Sequence, residues 1–262
     1  MTTRTQELAD RTAIVTGAGR GIGRAIAREL ARSGARVCVV GRQRARLEET
    51  CAAITSAGGV AVFVVADLRD PLSGALTSEL ARADVLVNNA ADFAPYGPLE
   101  SISIDDTQRV LDTIVSATLR LTARVLPGMK QRGFGRIVNI GSVAAELGAE
   151  RQVVYATAKS ALYGMTKSVA LEGAAHGVTC NLLDLGLIET ERISEAMPPG
   201  IRAQLVQRTP MARAGTPEEV AAVAAFLASS RASFITGARI PVSGGLGLGL
   251  FPHGFGADAG DR

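Results

Sequence analysis

The sequence predicts an α/β protein: a doubly wound, mostly parallel sheet of seven strands, covered by helices on both faces and forming one domain. Two patterns lead there. Seven short β-branched runs alternate with longer amphipathic ones along the chain. The short runs are also nearly continuous in apolar residues, as strands must be when both faces of a sheet are buried. No composition break or Pro/Ser-rich linker divides the 262 residues, so a single domain over 1–262 is expected.

In chain order the strands are TAIVTGA, ARVCVVG, VAVFVVAD, DVLVNNA, RIVNIGS, VTCNLLDLG and ARIPVSGG. Helical periodicity places helices over 21–33, 42–57, 72–81, 105–131, 153–175 and 217–229. Ligands of such sheets bind beyond the carboxyl ends of the strands, and Gly17, Asn89, Ser142 and Gly186 all fall at those ends. The segment 188–213 breaks the alternation and carries Pro198, Pro199 and Gly200. It is read as a lid over a substrate, with a surface excursion bearing a short helix as the alternative. The Gly- and Leu-rich tail, 244–255, either packs on a neighbouring subunit or stays loose.

Composition narrows the function. The formal charge is only +3 and arginines are interspersed with acids, so no basic stripe argues for nucleic acid. No apolar run approaches the roughly 18 residues of a membrane span. The start, MTTRTQELADRTAIV, lacks the apolar segment of a signal peptide, so a cytoplasmic protein is expected. Cys38, Cys51 and Cys180 are odd in number and far apart, so they read as small buried residues. With only His176 and His253 as histidines, no metal site is expected.

Catalytic chemistry is signalled by spacing. Tyr155 and Lys159 stand at i and i+4 on one helix face, and Ser142 lies thirteen residues ahead of the tyrosine. A tyrosine of ordinary pKa, roughly 10, is a poor acid or base at neutral pH. A neighbouring ammonium shifts it downward, towards a range where it passes protons. Tyr163 and Lys167 repeat the step, but thirteen residues before Tyr163 stands Glu150, so that pair is read as helix surface.

The first strand runs into Thr16-Gly17-Ala18-Gly19-Arg20-Gly21-Ile22-Gly23 and then a helix. Glycines there let the backbone turn tightly against a pyrophosphate, whose charge the helix N-terminus favours. The spacing is TGxxxGxG rather than GxGxxG. A carboxylate closing the second strand would select NAD, yet this strand ends in Gly41 and is followed by Arg42, with Arg20 in the turn. Guanidinium groups suit a 2′-phosphate, so NADPH is the expected cofactor and NADH the less favoured one. Arg44 and Arg46 follow close behind as further candidates, with a solvated helix face as their alternative reading.

Together these motifs resemble the short-chain dehydrogenase/reductase family in its classical size group, over almost the whole chain. The resemblance rests on Thr16–Gly23, Asp67, the NNA at 88–90, Ser142, Tyr155-x-x-x-Lys159 and the ITG at 235–237. It is strongest towards members that act like 3-oxoacyl-carrier-protein and polyketide ketoreductases. It implies a single Rossmann-type domain in which Gly17, Gly19, Gly21, Ile22 and Gly23 hold the pyrophosphate. Asp67 and Leu68 would meet the adenine, and Asn89 and Ala90 the adenosine side. Gly186, Ile188 and Thr190 would meet the nicotinamide end. Lys159 would grip the nicotinamide ribose, Ser142 the substrate oxygen, and Tyr155 would supply a proton as hydride arrives, giving an alcohol from a ketone, oxoacyl or polyketide-like carbonyl. A homotetramer or homodimer and a role in secondary metabolism are implied in the same way.

The chain departs from the family at several positions. Ile114 stands where the family has an asparagine thought to anchor a water next to the lysine; Thr113 or Thr118 could substitute. Ala91, Leu185 and Ser243 replace a glycine, a proline and an aspartate. Asp184 is unexpected at a strand end facing the site, and is read as a solvated side chain rather than a substrate contact. Two other functions stay open: an alcohol dehydrogenase working oxidatively, and, because of Ile114, a non-catalytic NADP-binding protein on the same scaffold.

Overall fold

The computed structural model describes residues 6–249. All seven expected strands form: β1 (Thr12–Thr16), β2 (Arg36–Gly41), β3 (Val60–Val65), β4 (Val85–Asn88), β5 (Gly135–Ile140), β6 (Val178–Leu185) and β7 (Arg239–Val242). They make one sheet in the order β3-β2-β1-β4-β5-β6-β7, with every pairing parallel. The order reverses between β1 and β4, which opens a crevice at their carboxyl ends.

The helices are α1 (Gly21–Arg32), α2 (Arg44–Ser56), α3 (Gly74–Ala81), α4 (Ile104–Leu111), α5 (Ala117–Arg132), α6 (Ala144–Leu147), α7 (Val153–Ala174), α8 (Glu191–Ala196), α9 (Pro199–Gln207) and α10 (Pro217–Ala228). On one sheet face Ile26, Leu30, Val220, Ala224 and Leu227, from α1 and α10, pack against alternate residues of β1, β2, β5 and β6. On the other face Leu80, Leu121, Val125, Met129 and Ala170 pack against Ile14, Leu86 and Ile137. Those strand residues are fully buried, as expected of strands covered on both sides. Cys38 and Cys180 are free, buried thiols pushed up to about 12 by that burial.

Three elements differ from expectation. The helix expected over 105–131 is interrupted between α4 and α5 by a π-helical turn, Asp112–Ser116. Ile114 lies in that turn, 1% exposed, packed with Val110, Val154, Ala158 and Leu162. Helix α6, directly after Ser142, was not foreseen. Segment 188–213 folds as α8 and α9: Pro199 opens a helix at a position where its missing N–H is harmless, so the Pro-Pro pair starts an element instead of preventing one. Of the tail 244–255, residues 250–255 lie outside the described residues, as does His253. Among the described residues no helix is long and apolar enough to cross a membrane.

Candidate active site

The chain leaves β1 through a turn with Gly17 at φ +64° and Gly21 at φ +53°. These left-handed values favour glycine, and a Cβ on Gly23 would lie 2.4 Å from the Gly17 carbonyl oxygen. Asn89, at the end of β4, fastens the turn: its Nδ2 donates to the carbonyls of Thr16 (2.8 Å) and Gly17 (3.3 Å). The Thr16 hydroxyl accepts from the N–H groups of Asn89 and Ala90 and donates to the Val87 carbonyl. Asn89 therefore shapes the crevice. Thr16 does the same work; the motif contains it, but spacing alone does not show the bonds its hydroxyl makes across to β4.

A cavity of about 430 Å³ opens from this crevice. Gly17, Gly19, Arg20, Gly21, Ile22 and Gly23 form one wall, with Arg42, Asn89 and Ala90 beside them. Ser142, Tyr155, Lys159, Gly186, Ile188 and Thr190 line the other end. Two expected residues are absent from its lining. Asp67 is engaged instead by the Arg69 guanidinium (2.6 and 3.0 Å), which holds its carboxyl down at about 2. Leu68 is buried, with its carbonyl bonded to Arg120. Of the two arginines left between a phosphate contact and a solvated face, Arg46 joins the wall with Gln43, whereas Arg44 stays exposed and pairs with Glu48.

The cavity suits a dinucleotide phosphate. Its wall is glycine backbone next to a helix N-terminus, and Arg20, Arg42 and Arg46 line it as well. Arg20 meets Glu195 of α8 at 3.0 Å, and Arg42 lies 3.9 Å from Asp92 while staying largely exposed. The Thr190 hydroxyl caps α8 through the Ile193 N–H (3.3 Å).

At the other end β5 and α7 bring three groups together. Lys159 is 2% exposed and donates from Nζ to the Ile140 carbonyl at 2.6 Å, leaving two N–H bonds free among the described residues. Nζ lies 5.7 Å from the centre of the Tyr155 ring. Ser142 Oγ accepts from the Ala144 N–H at 3.2 Å, which leaves its own proton to donate. The expected acidification of Tyr155 by Lys159 does not appear in the chain alone. Burial dominates, pushing the phenol up to about 12; a hydrogen bond with Ser142 and the charge of Arg192 oppose it. Burial likewise pulls Lys159 down to about 8, against the pull of Asp184. Neither threonine bonds directly to Lys159: Thr113 bonds back to the Arg109 carbonyl at 2.8 Å, and Thr118 is buried.

Asp184 is not a solvated side chain. It is fully buried between the sheet and α7, where Arg239 Nε of β7 donates to it at 2.7 Å and the Tyr163 hydroxyl at 3.1 Å. Arg239 also binds Glu146 of α6. Tyr163 therefore serves this buried pair instead of the helix surface; Lys167 is exposed as expected. Two aromatic contacts complete the cavity. Phe93 stacks on Tyr155 at 4.5 Å, and the Arg192 guanidinium lies 3.9 Å above Phe93. Neither residue was a candidate, since each gains its meaning from a partner far away in the chain.

The family model described as Enoyl-(Acyl carrier protein) reductase matches residues 17–247. The 3-oxoacyl-[acyl-carrier-protein] reductase of Vibrio cholerae is 36% identical over 91% of this chain and 98% of its own length. A candidate NAD(P)-dependent gluconate 5-dehydrogenase from Beutenbergia cavernae, solved with NADP at low occupancy, is 40% identical, with TM-score 0.86 over 92% of this chain and 98% of that one. The 3-oxoacyl carrier-protein reductase of Agrobacterium tumefaciens C58, solved with NADP, is 34% identical, with TM-score 0.83 over 92% and 95%. The chain belongs to the short-chain dehydrogenase/reductase family. It is an oxidoreductase acting on the alcohol/carbonyl couple.

Proposed function

We propose that the protein reduces a ketone to a secondary alcohol through Ser142, Tyr155 and Lys159. One observation carries this reading: those three side chains, from the end of β5 and from α7, share a cavity with the glycine turn more than a hundred positions earlier in the chain. NADPH, when bound, supplies the hydride. Ser142 Oγ and the Tyr155 hydroxyl face the place for a carbonyl oxygen, where hydrogen-bond donors offset developing alkoxide charge. A phenol held up at about 12 is protonated at neutral pH, the state that a proton donor in reduction requires. The two free N–H bonds of Lys159 are available to ribose hydroxyls, and its charge supports the tyrosinate left behind.

The wall residues Gly17 to Gly23, with Asn89, Ala90, Gly186, Ile188 and Thr190, are proposed to hold the cofactor, and Arg20 and Arg42 its 2′-phosphate. The chain is taken as one domain over 1–262, with 188–213 as its substrate-covering part. The similar proteins are named for oxoacyl and for sugar-acid substrates, so similarity leaves the carbonyl class open. A cytoplasmic homo-oligomer serving secondary metabolism remains the proposal. Its assembly is supported by the exposure of Leu171 on α7 and of Phe234 ahead of β7. Tyr155→Phe should abolish ketone-dependent NADPH oxidation while NADPH binding, read by cofactor fluorescence, stays within about twofold. Normal turnover by that variant overturns the mechanism.

A further inference from the structure

Arg192 carries a charge on the cavity wall that no acidic side chain answers. Among the described residues its guanidinium makes no hydrogen bond, and no carboxylate lies within 4.0 Å of it. Two neighbouring arginines differ. Arg20 pairs with Glu195 at 3.0 Å, and Arg109 engages Asp92 at 2.8 Å and Asp106 at 2.6 Å. Arg192 is half-buried nonetheless, and loss of water lowers its pKa, with Arg20 and Arg42 adding to the effect and Asp92 opposing it. A partly desolvated, unpaired guanidinium is unfavourable until an anion meets it.

Its position is fixed by stacking. The guanidinium carbon lies 3.9 Å from the centre of the Phe93 ring, and Phe93 lies 4.5 Å from the Tyr155 ring at 16° between planes. Phe93 is itself clamped: its N–H donates to Asp92 Oδ1 at 2.8 Å and its carbonyl accepts from Arg109 at 3.2 Å. Stacking uses the face of a guanidinium and leaves its N–H edges, the part that matches a carboxylate in a paired geometry. One aromatic ring therefore separates a free bidentate donor from the catalytic phenol.

We propose that Arg192 anchors a carboxylate of the substrate, so that the enzyme prefers keto acids whose acid group lies several carbons from the carbonyl. With the ketone oxygen at Ser142 and Tyr155, such a molecule runs along the edge of Phe93 to the guanidinium; a 2-oxo acid is too short to span the ring. The inference rests on the proposed carbonyl reduction and names its substrate class.

The test compares wild type, Arg192→Met and Arg192→Lys on pyruvate, levulinate and longer methyl-ketone acids, each against its methyl ester. Wild type should favour the longer acids over their esters by about tenfold or more in kcat/KM, with no such preference for pyruvate. Arg192→Met should lose that preference, chiefly through KM, and Arg192→Lys should keep part of it. Calorimetry on Tyr155→Phe loaded with NADP⁺ should detect levulinate binding, and adding Arg192→Met should remove it. Equal turnover of acids and esters by wild type overturns the inference while leaving ketone reduction intact. A preference that survives Arg192→Met also overturns it, as does a tenfold loss of NADPH affinity in that variant, since the guanidinium would then serve a cofactor phosphate. If no ketone supports NADPH oxidation, the underlying reading fails first.

Discussion

Lys159 is a cation held where water is scarce, and its surroundings give it one carbonyl oxygen in return. Its folded pKa, about 8, lies below the ordinary 10.5, so the charged form costs stability at every pH below about 8. That cost fades as pH rises from 8 to 10.5, because the folded state has already shed a proton that the unfolded chain still binds. Lys159→Met should therefore be inactive yet more stable at pH 7, by up to about 3 kcal/mol less the lost hydrogen bond. Denaturant titrations without cofactor should show the gap to wild type closing between pH 8 and 10.5; a gap independent of pH would refute this account. The Tyr-x-x-x-Lys step was legible from helix periodicity alone. The balance of charge around it was not, since Arg192 and Asp184 reach Tyr155 only through the fold.

At the scale of elements, three segments distant in sequence are tied by Arg239. Strand β7 lends this side chain to Asp184 on β6 and to Glu146 on α6, the short helix that follows Ser142. The Ser160 hydroxyl, bonded to the Ala145 carbonyl at 2.9 Å, holds α6 to α7 as well. Arg239→Met strands a fully buried carboxylate, and should destabilise the protein by about 3 kcal/mol, near the low end for a broken buried pair because a third of the arginine side chain faces solvent. Adding Asp184→Asn should restore part of that loss, since the pair is one unit. Additive losses in chemical denaturation would show that the two act separately. Asp184 looked like a strand-end polar residue because sequence shows neither Arg239, 55 positions away, nor the helix that covers it. The π turn at 112–116 was equally hidden: residues on either side share one helical period, and the backbone hydrogen bonds alone show where the ladder changes.

For the whole molecule, the crevice at the strand-order reversal should couple cofactor binding to global stability. A ligand at a hundred times its Kd adds about 2.7 kcal/mol, which in a domain of this size raises Tm by several degrees. NADPH should give that shift and NADH at equal concentration a much smaller one. In a double Arg20→Ala, Arg42→Ala variant the two cofactors should converge; a retained difference would place the discrimination elsewhere, with Arg46 the next residue on the wall. The sequence by itself determined the strand and helix order, the parallel sheet, the glycine turn and the Tyr155–Lys159 step. Each of these is written in local periodicity or spacing, and each forms wherever the chain is allowed to bury its apolar runs. Tertiary structure alone decided that Phe93 stacks on Tyr155 with Arg192 over Phe93, that Asp184 is a buried partner of Arg239, and that Asp67 is engaged by Arg69. Those outcomes depend on which distant groups the closed sheet brings within a few ångströms, and on how much water it leaves around them.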